Sequence, residues 1–519
     1  MAHDISLPRT SDSLWMATTK ESNYPALSGD TNVDVTIIGG GIAGIPTAVM
    51  LKKAGLSVAV VEAYRIGESV TGNTTAKVTA LHDLIYDYLI SKFGQEKAQM
   101  YASANQDAIE TIAGLVKEYA VDCDFIRKNA FTFTELAKDL NDIEKEVTAA
   151  KKLGLPVEYT EKLDLPFMTK GAIKMSDQAQ FHPRKYLLAL ANTIPDQNSY
   201  IFENTRALDI KEDKICEVTT DKGKIKSKYV VIASHFPFYD KAFYFTRMEQ
   251  NRSYVIAGKP QTMPNGMFIN IDQHSFRSQK YKNSEILLVG GEDHKSGQGG
   301  DTLKRYENVA KYAKERFDIE EILFRWSTQD NFTLDRVPYI GLHRPLSKRV
   351  YVATGFNGWG MTHGHVAGSI ITSQILGKKH PHATLYNPNR FNPLVDGPKL
   401  MTSGYDNAVH TVSGYLKKRP AEDPKKLKNG EGKILNVNGK KVAAYKDDEG
   451  NLHQVSAICT HLGCVVEWNP GERTWDCPCH GSRFEFSGKV IKGPANKDLK
   501  KITDTSNDTK KCKNCDCGK

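Results

Sequence analysis

"DVTIIGGGIAGIPTAVMLKKAGLSVAVVEA", residues 34–63, is the stretch from which the fold of this chain can be read. The apolar run 33–38 predicts a short buried strand, and the chain then turns through Gly39-x-Gly41-x-x-Gly44 into a segment of helical period. Gly55 ends that segment as a C-cap would, and a second apolar run, 58–61, closes on Glu62, 23 residues after Gly39. Strand, glycine turn, helix, strand and acid in this register form a dinucleotide-binding fingerprint. The glycines permit a tight turn and the close approach of a pyrophosphate, the helix N-terminus faces its charge, and the acid accepts from the ribose hydroxyls. Pro46 falls in the first turns of the helix, where it removes at most one backbone bond. The fingerprint alone does not separate FAD from NAD.

The whole chain is long enough, at 519 residues, for two to four domains on a prior of roughly 150 residues each. Apolar residues at 40% and charged residues at 25% are values of a globular protein, and no run reaches the ~20 apolar residues of a membrane span. The first twenty residues lack a basic segment followed by an apolar core, so the reading expects a cytoplasmic location. Net charge is +9, and residues 417–519 hold 21 Lys and Arg against 14 Asp and Glu. That basic excess comes with no aromatic interleaving and no nucleic-acid motif, so nucleic acid is not expected as a partner.

Two later stretches extend the fingerprint. Residues 201–234 read as alternating strands with a turn at 221–223 and a further apolar strand at 229–233. "DRVPYIG", 335–341, leads to "YVATGFNGWGMTHGHVAGSIITSQILG", 351–377: a strand, a glycine-rich turn and a helix beginning near Thr362. These pieces, in this order, resemble FAD-dependent oxidoreductases of the D-amino-acid oxidase, glycine oxidase and sarcosine oxidase type, over about residues 33–377. The resemblance implies FAD as cofactor, with Gly39, Gly41, Gly44 and Glu62 on the dinucleotide. It also implies a turn closing over the flavin ring at Gly355, Phe356, Gly358, Trp359, Gly360, Met361 and Thr362. "TGNTTAKVTALH", 71–82, matches the segment beneath the flavin, which makes Thr71, Thr74, Thr75 and Lys77 candidate contacts. An antiparallel sheet carrying the substrate pocket is expected from about residue 251 to 291, and a covering helix over 98–118. "LLVGGEDHKSG", 287–297, lacks a third glycine and a helix and is not read as a second dinucleotide site. Arg336 lies where some relatives hold a substrate carboxylate, a task suited to a guanidinium; His363 and His365 are candidates to face the pocket.

Near the other end, "CTHLGCVVEWNPGERTWDCPCHGSRFEFSG", 459–488, concentrates four cysteines and two histidines in two loops, Cys459-x-His461-x-x-Cys464 and Cys477-x-Cys479-His480. Thiolates alone would suit zinc or a ferredoxin cluster, and a two-Cys, two-His zinc knuckle could use any four of the six groups. One histidine in each loop instead suits the Rieske [2Fe–2S] arrangement, in which imidazoles replace thiolates on one iron. The stretch resembles the Rieske domains of cytochrome bc and bf complexes. That resemblance implies Cys459 and Cys477 on one iron, His461 and His480 on the other, a Cys464–Cys479 disulfide clamping the loops, and a covering loop at 493–495. Phe484 stands where those domains carry a tyrosine, while Ser482 is kept.

Residues 1–30 thus read as an N-terminal extension, 31–414 as an FAD-dependent oxidoreductase of α/β type with an antiparallel-sheet substrate subdomain, and 415–432 as a polar linker. Residues 433–503 read as a small all-β Rieske domain, and 504–519 as a tail holding Cys512, Cys515 and Cys517. The expected activity is oxidation of a C–N bond of an amine or amino acid. Single electrons then leave through the cluster to an external acceptor, for which an acidic carrier would suit the basic C-terminal part. Competing readings are an electron-transfer protein fed by NAD(P)H and a non-catalytic redox sensor.

Overall fold

The computed structural model describes residues 7–8, 10–390, 397, 401–402, 409–410, 412–417 and 419–502. The chain forms two units, Met1–Gly404 and Tyr405–Lys519. The cysteines expected in a tail at 504–519 lie outside the described residues.

In the first unit the strand Thr31–Ile38 pairs in parallel with Val58–Val61 on one side and Lys224–Ile232 on the other. Tyr200–Phe202 extends the sheet beyond Val58–Val61, and Val350–Thr354 extends it beyond Lys224–Ile232. The edge strand Tyr339–Leu342 runs antiparallel. The central strands are apolar on both faces because both are covered, as a parallel sheet requires. The helix Gly44–Lys53 starts in the glycine turn, and Pro46 occupies its first turn, where its N–H would have no partner within the helix. Gly360–Ile375, two residues longer at its start than the sequence suggests, packs across it. Gly364 and Gly368 make that approach possible: a Cβ on Gly364 would lie 2.6 Å from the Ile42 carbonyl oxygen, and one on Gly368 would lie 2.9 Å from Met50 Sδ.

A second, nine-stranded sheet contains Met248–Gly258, Met267–Asn270, Ser275–Tyr281 and Ser284–Lys295, where the antiparallel sheet is expected. Period-two alternation divides its faces. Val255, Ala257 and Trp326 join the core shared with the first sheet, whereas Tyr254, Ile256 and Val289 pack under the helix Thr302–Phe317. Gly290 and Gly291 sit inside Ser284–Lys295, so "LLVGGEDHKSG" is strand and not a phosphate turn. The covering helix is Gln95–Glu118, burying Tyr101, Ala104, Ala108, Ile112 and Leu115. Part of the N-terminal extension is built into the core: the short helix Leu14–Ala17 buries Trp15 completely.

The second unit is all-β. Gly432–Val437, Lys440–Lys446 and Leu452–Ser456 form one antiparallel sheet, and Glu467–Asn469, Thr474–Asp476, Arg483–Glu485 and Val490–Lys492 form another. Their core includes Tyr445, Val455, Trp475 and Phe484. Segment 415–432, polar enough to read as a linker, uses its polar groups to hold this unit. Tyr415 Oη donates to the Gly463 carbonyl at 2.7 Å, and Arg419 donates to both Glu467 carboxylate oxygens at 2.6 and 3.2 Å.

Candidate functional site

The glycine turn follows the C-terminal end of Thr31–Ile38, where an open α/β sheet places its ligands. Gly39 has φ +117°, and a side chain on it would strike the Ala233 carbonyl; a Cβ on Gly44 would strike the Gly39 carbonyl. No side chain caps the helix that begins at Gly44. An anion at that N-terminus would meet N–H groups and not a capping oxygen. Glu62, at the end of the second strand, accepts from Gly40 N–H at 2.7 Å and Tyr64 N–H at 3.0 Å, and burial raises its carboxyl above the ordinary value. A bare, glycine-lined helix start with an acid beside it fits an FAD dinucleotide.

The segment 71–82 runs from this turn into the second sheet. Thr71 Oγ1 accepts from Ile42 N–H at 3.1 Å, which ties the segment to the glycine turn. Thr74 Oγ1 accepts from Ala76 N–H at 2.9 Å, and Lys77 Nζ reaches Thr75 Oγ1 at 3.4 Å. Lys77 is buried on the two-residue strand Lys77–Val78, and desolvation together with the Arg277 cation lowers its pKa to about 7. Asp83, at φ +56°, is raised to about 6 by burial, opposed by the charges of Lys77 and Arg336.

The glycine-rich turn 355–362 meets segment 71–82 at a residue the sequence reading did not single out. The His82 ring stacks on Trp359, 4.4 Å between centroids and 18° between planes, and its Nδ1 lies 2.7 Å from Tyr101 Oη. Its Nε2 is 2.7 Å from the Thr79 carbonyl and 3.3 Å from Thr362 Oγ1. Burial and the neighbouring His363 hold His82 neutral. Only its place at the end of the quoted segment hinted at it. Gly355, at φ +73°, and Gly358, at φ +84°, shape the turn; Phe356 and Trp359 stay partly open, while Met361 and Thr362 are buried in the first turn of the helix that Gly360 starts.

The two histidines after this turn are both buried on the helix that follows it. His365 is buried with both nitrogens engaged, Nδ1 2.8 Å from the Met361 carbonyl and Nε2 2.7 Å from Tyr186 Oη. His363 is fully buried, with Nδ1 3.1 Å from the Phe356 carbonyl and its ring among those of His82, Tyr101 and Tyr386. The helix turns both toward the core, and burial lowers their pKa values, to about 3 for His363 and about 4 for His365. Arg336 by contrast is exposed, at φ +62° in a turn, its guanidinium 4.9 Å from the Tyr88 ring centroid. The turn is anchored next door: Arg390 forks onto the buried Asp335 carboxylate at 2.7 and 2.9 Å.

In the second unit the two Cys/His loops converge. Cys459 and Cys477 are buried, while His461 and His480 are partly exposed, their rings 5.0 Å apart and perpendicular. Cys464 and Cys479 form a disulfide across the loops, in the pairing the resemblance implies. The Cys477 thiol, the backbone N–H groups of His461 and Leu462 and the Ser482 hydroxyl pull the Cys459 thiol down to about 7. The N–H groups of Cys479 and His480 approach Cys477 in the same way. Two buried sulfurs with N–H donors at each, and two imidazoles on the solvent side, fit a [2Fe–2S] cluster held by two thiolates and two histidines. Ser482 Oγ also accepts from Ala495 N–H at 3.0 Å, so the 493–495 loop is tied over this site. Phe484 is buried opposite Trp475.

Comparison with known proteins agrees with both halves. A family model described as FAD dependent oxidoreductase matches residues 34–374, and one described as Rieske [2Fe-2S] domain matches residues 418–503. YhfW of Bacillus subtilis (strain 168), named as a Rieske 2Fe-2S iron-sulfur protein, is 42% identical over 507 residues, covering 97% of this chain and 99% of its own length. Gamma-glutamylputrescine oxidoreductase of Escherichia coli (strain K12) is 24% identical over 377 residues, covering 69% of this chain and 87% of its own. The crystal structure of glycine oxidase from Geobacillus kaustophilus superposes with a TM-score of 0.59 at 20% identity, over 70% of this chain and 100% of that one, which is a likeness of fold.

Proposed function

Since the chain belongs to the FAD dependent oxidoreductase family and carries a Rieske [2Fe-2S] domain, we propose that it oxidises a C–N bond of an amine or amino acid and releases the electrons singly to an external acceptor. The observation that carries this reading is the joining of the two modules in one chain, shared over nearly its whole length with YhfW. Bound FAD accepts a hydride from carbon, and a bound [2Fe–2S] cluster takes one electron at a time. The protein's own part is to bind and orient. Gly39, Gly41, Gly44 and Glu62 hold the dinucleotide, and segments 71–77 and 355–362 hold the ring. Cys459 and Cys477 bind one iron, His461 and His480 the other.

Arg336 is the group placed to pair with a substrate carboxylate, since its guanidinium is exposed and its turn is anchored by Arg390 and Asp335. Lys77 carries an amine able to hold or release a proton at Nζ near neutral pH, because burial and Arg277 disfavour its charge. The absence of a phosphate turn at 287–297 argues against a feed from NAD(P)H.

The test is anaerobic photoreduction of the flavin in the purified chain, followed by optical spectra and by EPR of the reduced cluster in the same samples. Growth of the cluster signal as the flavin is reduced supports the reading, and a screen of amines and amino acids with an artificial acceptor then identifies the substrate. A bleached flavin beside a cluster that stays oxidised overturns it.

A further inference from the structure

Four consecutive carbonyls of loop 71–77 accept hydrogen bonds from side chains remote in sequence. Ser13 Oγ donates to Gly72 O, Trp326 Nε1 to Asn73 O at 2.9 Å, Trp15 Nε1 to Thr74 O at 2.7 Å, and Arg277 Nε to Thr75 O. All four donor residues are buried. They also hold one another: the Trp15 and Trp326 rings meet edge-on at 6.5 Å, and the Arg277 guanidinium lies 5.3 Å from the Trp15 ring centroid. The remaining Arg277 nitrogens are committed to Ser278 O, Gln279 Oε1 and Phe181 O, which leaves the guanidinium one orientation.

None of these four peptides can rotate without breaking its bond, and at Gly72, where the bond is buried, the carbonyl would then go unsatisfied. In a trans peptide the N–H points opposite to the C=O. Fixing four carbonyls therefore fixes the N–H directions of Asn73, Thr74, Thr75 and Ala76. At one end the loop is tied to the dinucleotide turn through Thr71 and Ile42; beyond the other, His82 stacks on Trp359.

We propose that Ser13 and Trp15, with Trp326 and Arg277, form a carbonyl clamp that presets the flavin-binding conformation of loop 71–77. Ser13 and Trp15 are then positioning residues of the flavin site, and the N-terminal segment is a working part of it. A binding loop ordered in advance loses less entropy when the cofactor docks. This inference rests on the reading above that loop 71–77 lies against the flavin.

Trp15→Phe and Trp326→Phe each keep an aromatic ring in the core and remove one N–H. Both are compared in the full chain with Phe317→Leu, which loosens the separate core under Thr302–Phe317. Three quantities are read: amide hydrogen exchange over 72–76 in the FAD-loaded protein, the FAD dissociation constant after deflavination, and the flavin midpoint potential. Each tryptophan variant is expected to exchange about tenfold faster over 72–76. Each also binds FAD several-fold more weakly at a shifted potential, with the EPR signal of the cluster unchanged, while Phe317→Leu moves none of the three. Wild-type values of all three in both tryptophan variants overturn the clamp. Faster exchange with unchanged FAD affinity and potential also overturns the proposal; if FAD addition then leaves exchange over 72–76 of the wild-type chain untouched, the placement of the loop is what failed.

Discussion

Phe484 is the residue at which this iron–sulfur unit departs from the high-potential domains it resembles. It is buried on Arg483–Glu485 opposite Trp475, two residues from Ser482, whose hydroxyl supports the Cys459 sulfur. A phenolic hydroxyl here would add a donor to cluster sulfur, and such bonds favour the more negative reduced state. Phe484→Tyr is therefore expected to raise the midpoint potential, by an amount on the order of tens of millivolts, measured by EPR-monitored redox titration; an unchanged or lower potential contradicts the argument. That Phe484 departs from the pattern is legible in the sequence, as are the six Cys and His positions, because they recur at short fixed spacing. The exposure of the two imidazoles and the burial of the sulfurs are not, since they depend on how the two loops face each other.

Among the elements, the contact between Gly44–Lys53 and Gly360–Ile375 joins the dinucleotide turn to the turn at 355–362. Gly364 brings the second helix against the Ile42 carbonyl, inside the glycine turn itself. Gly364→Ala would force the helices apart at a rigid backbone atom, at a cost of about 1–3 kcal/mol. The expected result is a lower thermal midpoint of the first unit and loss of bound FAD, seen by calorimetry and by the flavin absorbance of the purified variant; full FAD content and wild-type stability contradict it. The helix itself could be read from its period, and its start was missed by two residues because a glycine-rich turn hides the boundary. The burial of His363 and His365 was not legible for another reason: most of this helix is buried whatever the polarity of its residues, so its sequence shows no exposed polar face from which to read direction.

At the scale of the whole molecule, charge is uneven: of a net +9, residues 417–519 carry 21 basic against 14 acidic side chains. Under the proposed function this part delivers electrons to a partner. An acidic carrier would be steered to it, and steering between exposed charges weakens as the Debye length shortens, from about 10 Å at 0.1 M salt to about 3 Å at 1 M. Stopped-flow reduction of an acidic electron carrier is expected to slow as ionic strength rises, and a salt-independent rate rules steering out. Among the described residues no helix is long and apolar enough to cross a membrane.

What the sequence determined by itself is whatever depends on neighbours within a few turns: the strand–glycine–helix start at 33–55, the acid at Glu62, the alternating strands of the second sheet, and two loops whose ligands sit within six residues of one another. Such patterns are local, and periodicity or spacing carries them. Tertiary structure alone decided which distant side chains meet segments 71–82 and 355–362. Ser13, Trp15, Arg277 and Trp326 converge on carbonyls 72–75, and His82 meets Trp359 across 277 residues of chain. A hydrogen bond from a side chain to a backbone carbonyl leaves no period and no spacing in a sequence. It exists only once two sheets and an N-terminal segment have packed around the same loop.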